Sequence, residues 1–124
     1  MATFTDRYPR NTPGKYYIDA QCTDCDLCRE CAPNNIRRDD EHGFSYVYRQ
    51  PTTSEEIAAC EEGVTGCPTE AVGNDGDRYD WQTTPIHDWT TYSPSLLPLL
   101  AGLTVIKTPK EGIFPKLLRW LLRK

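Results

Sequence analysis

Cys22, Cys25, Cys28 and Cys31 recur at every third position of one short stretch, and Cys67, followed by Pro68, lies far downstream. Thiolates are soft ligands, and a cubane iron–sulfur cluster needs four of them approaching from different directions. Three from a loop wrapped around the cluster, with one distant cysteine, can supply that set. The expected ligands are Cys22, Cys25, Cys28 and Cys67, which leaves Cys31 and Cys60 over. Zinc is the competing metal, but zinc sites usually hold their Cys-x-x-Cys pairs well apart in sequence. Here four cysteines fall within ten residues.

No other constellation supplies catalysis, so an electron carrier is expected rather than an enzyme. His42 and His87 stand apart from any nucleophile pattern, and a lone histidine is more often a surface or packing residue. Asp24 and Asp26 lie between the expected ligands. They either solvate the loop or place negative charge beside the cluster, which would disfavour its reduced state and lower its potential. Leu27 is expected to shield the cluster from water, and Tyr16, Tyr17 and Tyr46 to be core and sheet residues rather than relays. Asn74, Asp75 and Asp77 around Gly76 lack the spaced carboxylates and terminal glutamate of a calcium loop and read as a solvated turn.

The elements that must position these residues fit one small domain with appendages, since 124 residues leave little chain for a second core. With 38% hydrophobic residues, 10 prolines and 8 glycines the core is modest, and a bound cluster would act as a staple. The first residues show no basic segment leading into an apolar run, so a reducing, cytoplasmic setting is expected, where six cysteines favour a metal site over a disulfide framework.

Residues 1–15 read as an irregular lead-in, and Tyr16-Tyr17-Ile18 starts a short β-rich run. The cysteine loop follows, then a polar stretch with a His42-Gly43 turn and an aromatic, β-branched strand at Phe44–Tyr48. Thr53 with Glu56 matches a capping box for a helix running to about Glu62, which Gly63 and Gly66 then break. Ala71-Val72 leaves room for a last strand before a tight turn at Gly73–Gly76. Residues 78–95 carry Tyr79, Trp81, Trp89 and Tyr92 without a clear period and are expected to wrap over the globule.

Cys22-Thr23-Asp24-Cys25-Asp26-Leu27-Cys28 with the distant Cys67-Pro68-Thr69-Glu70-Ala71 resembles the bacterial-type ferredoxins that carry a single 4Fe-4S cluster. The resemblance covers about residues 15–77, within an expected domain of 16–77. It implies an α+β fold, a pseudo-twofold sandwich of two strand–helix–strand halves, one of which has lost its cluster and kept its helix. Ile57 to Cys67 resembles the lost half, with Ile57 and Gly63 standing where ligands would be. Cys31 departs from the pattern, because the fourth cysteine of the loop normally follows the third by four residues and directly precedes proline. The family also implies a disulfide between the leftover loop and helix cysteines, here Cys31 and Cys60, each shifted by one residue from the usual spacing.

Charge divides along the chain. Residues 1–92 carry 17 Asp/Glu and 8 Lys/Arg, giving −9, and residues 93–124 carry 1 and 6, giving +5. Such a division suggests two partner surfaces and makes nucleic acid an unsuitable partner for the globule. The apolar run Leu96–Ile106 has 11 residues, well short of the ~20 needed to span a bilayer. Ile113–Lys124 places Leu117, Trp120 and Leu121 on one helical face and Lys116, Arg119 and Arg123 on another, the pattern of a basic amphipathic helix. Residues 96–124 are expected to anchor on anionic lipid or to dock on a larger partner.

The leading expectation is one-electron transfer by a peripheral subunit at the cytoplasmic face of a membrane-associated redox complex, with a soluble partner at the acidic globule. Two alternatives stay open: an interaction module whose cluster or zinc ion is only structural, and a redox sensor using Cys31 and Cys60 as a thiol switch.

Overall fold

The computed structural model describes residues 2–106. The expected amphipathic helix at 113–124 lies outside them. Six elements run in the order β1 (Tyr17–Ile18), α1 (Leu27–Cys31), β2 (Ile36–Asp39), β3 (Phe44–Val47), α2 (Ser54–Gly66) and β4 (Val72–Gly73). β1 pairs antiparallel with β4, Ile18 opposite Val72, and β2 with β3, Ile36 opposite Val47 and Asp39 opposite Phe44. Mixed helices and small sheets make this an α+β fold.

Local chemistry accounts for the boundaries. Gly43 has φ +74°, the left-handed geometry that glycine accepts without steric cost, and it turns β2 into β3. The Thr53 hydroxyl accepts from the Glu56 N–H at 3.1 Å, capping α2. Glu56 reaches back to the N–H of Thr52 at 3.3 Å, one residue earlier than a regular capping box would place it.

The helix does not stop at Glu62 as the two glycines suggested; it continues to Gly66. The glycines face α1 instead. A methyl group at residue 63 would sit 3.5 Å from Cys28 Cβ and one at residue 66 only 3.1 Å from Leu27 Cδ2, so lacking side chains lets α2 lie close against the cysteine segment. Two further elements lay outside the expectation. Residues 27–31 are a helix rather than loop, and Ile36–Asp39 is a strand despite its polar composition.

Two cores result. Tyr16, Ile18, Cys28, Ala32, Ile36, Val47, Cys60, Ala71 and Val72 fill the space between the helices and sheets, with Cys22 and Cys67 at its edge. Tyr8, Phe44, Tyr46, Ile86, Trp89, Leu96 and Leu100 form a second, aromatic core. There the rings of Tyr8 and Phe44 each meet Trp89 edge to face, a favoured geometry for aromatic quadrupoles.

The lead-in contributes Tyr8 to the aromatic core and Ala2 and Phe4 to a third, smallest cluster. Tyr8 is buried and its N–H bonds to Ile18 O at 2.8 Å. The Asn11 amide donates to Tyr8 O and Ile18 O and accepts from the N–H groups of Ile18 and Val47. One buried side chain thus ties β1 to β3. The buried Arg7 guanidinium donates to the carbonyls of Phe4, Trp81, Thr84 and Pro85, fastening residues 81–85 to the lead-in. Beyond them, Ile86–His87 (β5) pairs in parallel with Val105–Ile106 (β6), and Pro94–Leu100 is a 3₁₀ segment that buries Leu96 and Leu100. The first part of the apolar tail therefore packs on the globule. Leu97 stays 63% exposed.

Candidate metal centre

The loop before α1 carries Cys22 and Cys25, and α1 itself carries Cys28, at three depths: half-buried, exposed and buried. Its path depends on two residues in left-handed geometry, Asp24 (φ +60°) and Asp26 (φ +69°). That conformation costs other L-residues about 1 kcal/mol or more, and aspartate tolerates it best after glycine and asparagine. The aspartates between the ligands thus bend the backbone so that successive thiols can turn toward a common point.

Cys67 comes from the other half of the domain, directly after α2. The Cys28 thiol is pushed up to about 11, by burial first, against a hydrogen bond from Ser45 and with further upward contributions from Cys22, Cys67 and Cys25. Those four thiols therefore share one electrostatic neighbourhood. For Cys67, burial alone would raise the thiol, but hydrogen bonds from the Thr69 hydroxyl and from the N–H groups of Ala71, Thr69 and Val72 bring it below its ordinary value. The Ala71 N–H lies 3.3 Å from Cys67 Sγ, and the Asp24 N–H 3.4 Å from Cys22 Sγ.

This donor set fits an iron–sulfur cluster. Thiolate is the ligating form, and N–H groups aimed at sulfur favour it before any metal arrives. Among the described residues no three His, Cys, Asp or Glu side chains are grouped so as to hold a lone metal ion. A cubane interposes its own iron and sulfide, so its thiolates stand farther apart than the ligands of one ion.

Cys31, at the end of α1, and Cys60, on α2, are both free thiols. Cys60 is fully buried on α2, its thiol pushed up to about 11 by burial and then by Glu56 and Glu61. Cys31, half-buried, opens onto a shallow cavity of about 280 Å³ lined also by Asn35, Glu55 and Ala59. His42 and His87 lie in the other half of the molecule. His42 sits between Asp39 and Ser95, at 2.9 and 2.8 Å, and His87 beside Trp89.

Asp24 and Asp26 are not the open negative charges that the sequence suggested. Arg38 holds both carboxylate oxygens of Asp24 at 3.0 Å, and Arg29 reaches Asp24 at 2.8 Å. Hydrogen bonds from Arg38 first, then Arg29, keep Asp24 below the usual carboxylate range. Arg29 also pairs with Asp26. Sequence reading missed both arginines, because Arg38 belongs to a strand that its composition concealed.

In this α+β domain Cys22 and Cys25 of one loop, Cys28 of the short helix after it and Cys67 at the end of α2 are the thiols that could hold a cluster. The comparison with protein families is specific: residues 18–74 match the model described as the 4Fe-4S single cluster domain of Ferredoxin I. That match, over a little under half of the chain, supports a ferredoxin-type 4Fe-4S domain and with it electron transfer in general. No curated protein matches the chain.

Proposed function

We propose that the protein moves one electron at a time through a single 4Fe-4S cluster held by Cys22, Cys25, Cys28 and Cys67. The observation that supports the assignment is the packing of Cys22 and Cys67 against the core that holds Cys28, with Cys25 on the same bent loop; Cys31 lines the cavity beside Glu55 and Ala59. The element order β1-α1-β2 followed by β3-α2-β4, with the outer strands of the two halves paired, supports the pseudo-twofold sandwich. Bound there, the cluster would supply the redox chemistry. The protein's own part is to present thiolates, exclude water with Leu27 and set the local charge.

The setting we propose is that of a peripheral ferredoxin subunit at the cytoplasmic face of a membrane, held by its C-terminal extension to lipid or to a larger redox complex, with a soluble partner at the acidic globule. Among the described residues no helix is long and apolar enough to cross a membrane. Support for surface association comes from the +5 balance of residues 93–124 and the amphipathic pattern of 113–124, together with Leu97 and Tyr92 left exposed at the start of that region. Deleting residues 107–124 should shift the protein from the membrane or complex fraction to the soluble one; unchanged fractionation refutes the anchoring. Single Cys→Ser variants test the ligand set: iron is lost at residues 22, 25, 28 and 67 and retained at 31 and 60, and the reverse result overturns the assignment.

A further inference from the structure

Arg29 occupies an unusual place in this site. It is the residue after Cys28, its side chain is only 14% exposed, and its guanidinium meets three groups that surround the proposed ligands. It donates to Asp24 Oδ1 at 2.8 Å and to Ser45 Oγ at 2.5 Å, and it pairs with Asp26. Asp24 and Asp26 are the two residues in left-handed geometry between the thiols. Ser45 is buried on β3, and a hydrogen bond from it is among the influences that hold the Cys28 thiol down against burial.

A guanidinium has only donors, so Ser45 Oγ must accept from Arg29. That leaves the hydroxyl proton for the sulfur. Three consequences follow for a cluster bound here: a cation close by, two carboxylates paired with it, and a hydroxyl proton free for one ligand sulfur. Hydrogen bonds to the sulfurs and added positive charge each favour the more negative, reduced state. All three effects act in the same direction.

We propose that Arg29 is a positioning residue for the cluster site: its planar fork holds Asp24 and Asp26 in the loop's bent path, orients the Ser45 hydroxyl toward Cys28 Sγ, and thereby raises the reduction potential. The inference rests on the ligand assignment above. Lysine keeps the charge but cannot serve three acceptors in fixed geometry, which separates the fork from the charge.

The test is protein-film voltammetry of the holoprotein, with resonance Raman spectra of the iron–thiolate stretches, on Arg29→Lys, Arg29→Gln and Ser45→Ala. The expected order of potentials is unsubstituted, then Arg29→Lys, then Arg29→Gln, with Ser45→Ala also below the unsubstituted protein. In Ser45→Ala one iron–thiolate stretch should move to higher frequency, because a hydrogen bond withdraws charge from the sulfur. An unshifted potential and spectrum in Ser45→Ala overturn the hydroxyl contact, and Arg29→Lys identical to the unsubstituted protein overturns the fork in favour of charge alone. If Arg29→Gln takes up no cluster, the other two variants decide. No reversible one-electron wave in the unsubstituted protein would instead overturn the cluster reading itself.

Discussion

The cysteine half and the aromatic half of this molecule solve the same problem with opposite means. Around the cysteines, the elements are short and many of the packed residues small: Ala32, Ala71, Cys28 and Cys60. The loop in front of them is bent at two left-handed aspartates. Around Trp89, bulky rings interlock and the polar groups beneath them are satisfied: the indole N–H donates to Arg7 O at 2.9 Å, and Asp39 takes hydrogen bonds from Tyr8 and His42 and an ion pair from Arg10. On the proposed reading a cofactor completes the first half, whereas the second is closed by its own side chains. Metal binding is folding energy where the site is not otherwise held, so the contrast locates where the cluster's stabilisation is spent.

The largest expected effect is on the cysteine half alone. Stripping the iron with a chelator under reducing conditions should abolish amide protection over residues 20–32 and 63–72 while leaving that around Trp89 within a few-fold, as hydrogen exchange read by mass spectrometry would show. Uniform loss of protection would dissolve the distinction between the halves.

In the aromatic half, Trp89→Ala should cost about 4 kcal/mol, the usual range for emptying a buried aromatic site, read from urea unfolding. The cluster's visible absorbance should persist at low denaturant. Simultaneous bleaching would mean that the halves are one cooperative unit.

Asp39→Asn should cost about 3 kcal/mol at pH 7, since it removes the charged partner of a buried network. Asp39 is held well below the usual carboxylate range; burial opposes this, but the bonds from Tyr8, His42 and Arg10 outweigh it. A carboxyl depressed on folding contributes stability above its unfolded value, and that contribution is lost as pH falls toward the folded one. The variant's deficit should therefore shrink in acid below pH ~4. A deficit independent of pH would assign the loss to shape rather than charge.

The smallest effect is at α2, where Thr53→Ala removes the cap and should cost about 1 kcal/mol in thermal unfolding, with iron content unchanged.

How much of this was legible in the sequence differs between the two halves as well. The cysteine spacing, the strand at Phe44 and the cap at Thr53 are local signals, each carried by a few adjacent residues. The aromatic half has no such signal. Its chain turns through 3₁₀ segments, one begun by Pro94 and containing Pro98, and pairs in two-residue strands, too short for any period to register, so Leu96 and Leu100 read as tail although they are core. Asn11 was invisible for a related reason: its role is to satisfy backbone groups of strands that lie far apart in sequence. The arginines over Asp24 required knowing that β2 passes beside the loop.

The central claim is one redox-active cubane in the cysteine half, and it is tested most directly by electron paramagnetic resonance of anaerobically purified protein before and after dithionite, with iron and sulfide counted on the same sample. The account predicts a signal in the reduced state at about four irons per chain. Protein with zinc or no metal, or iron that gives no signal on reduction, would contradict it.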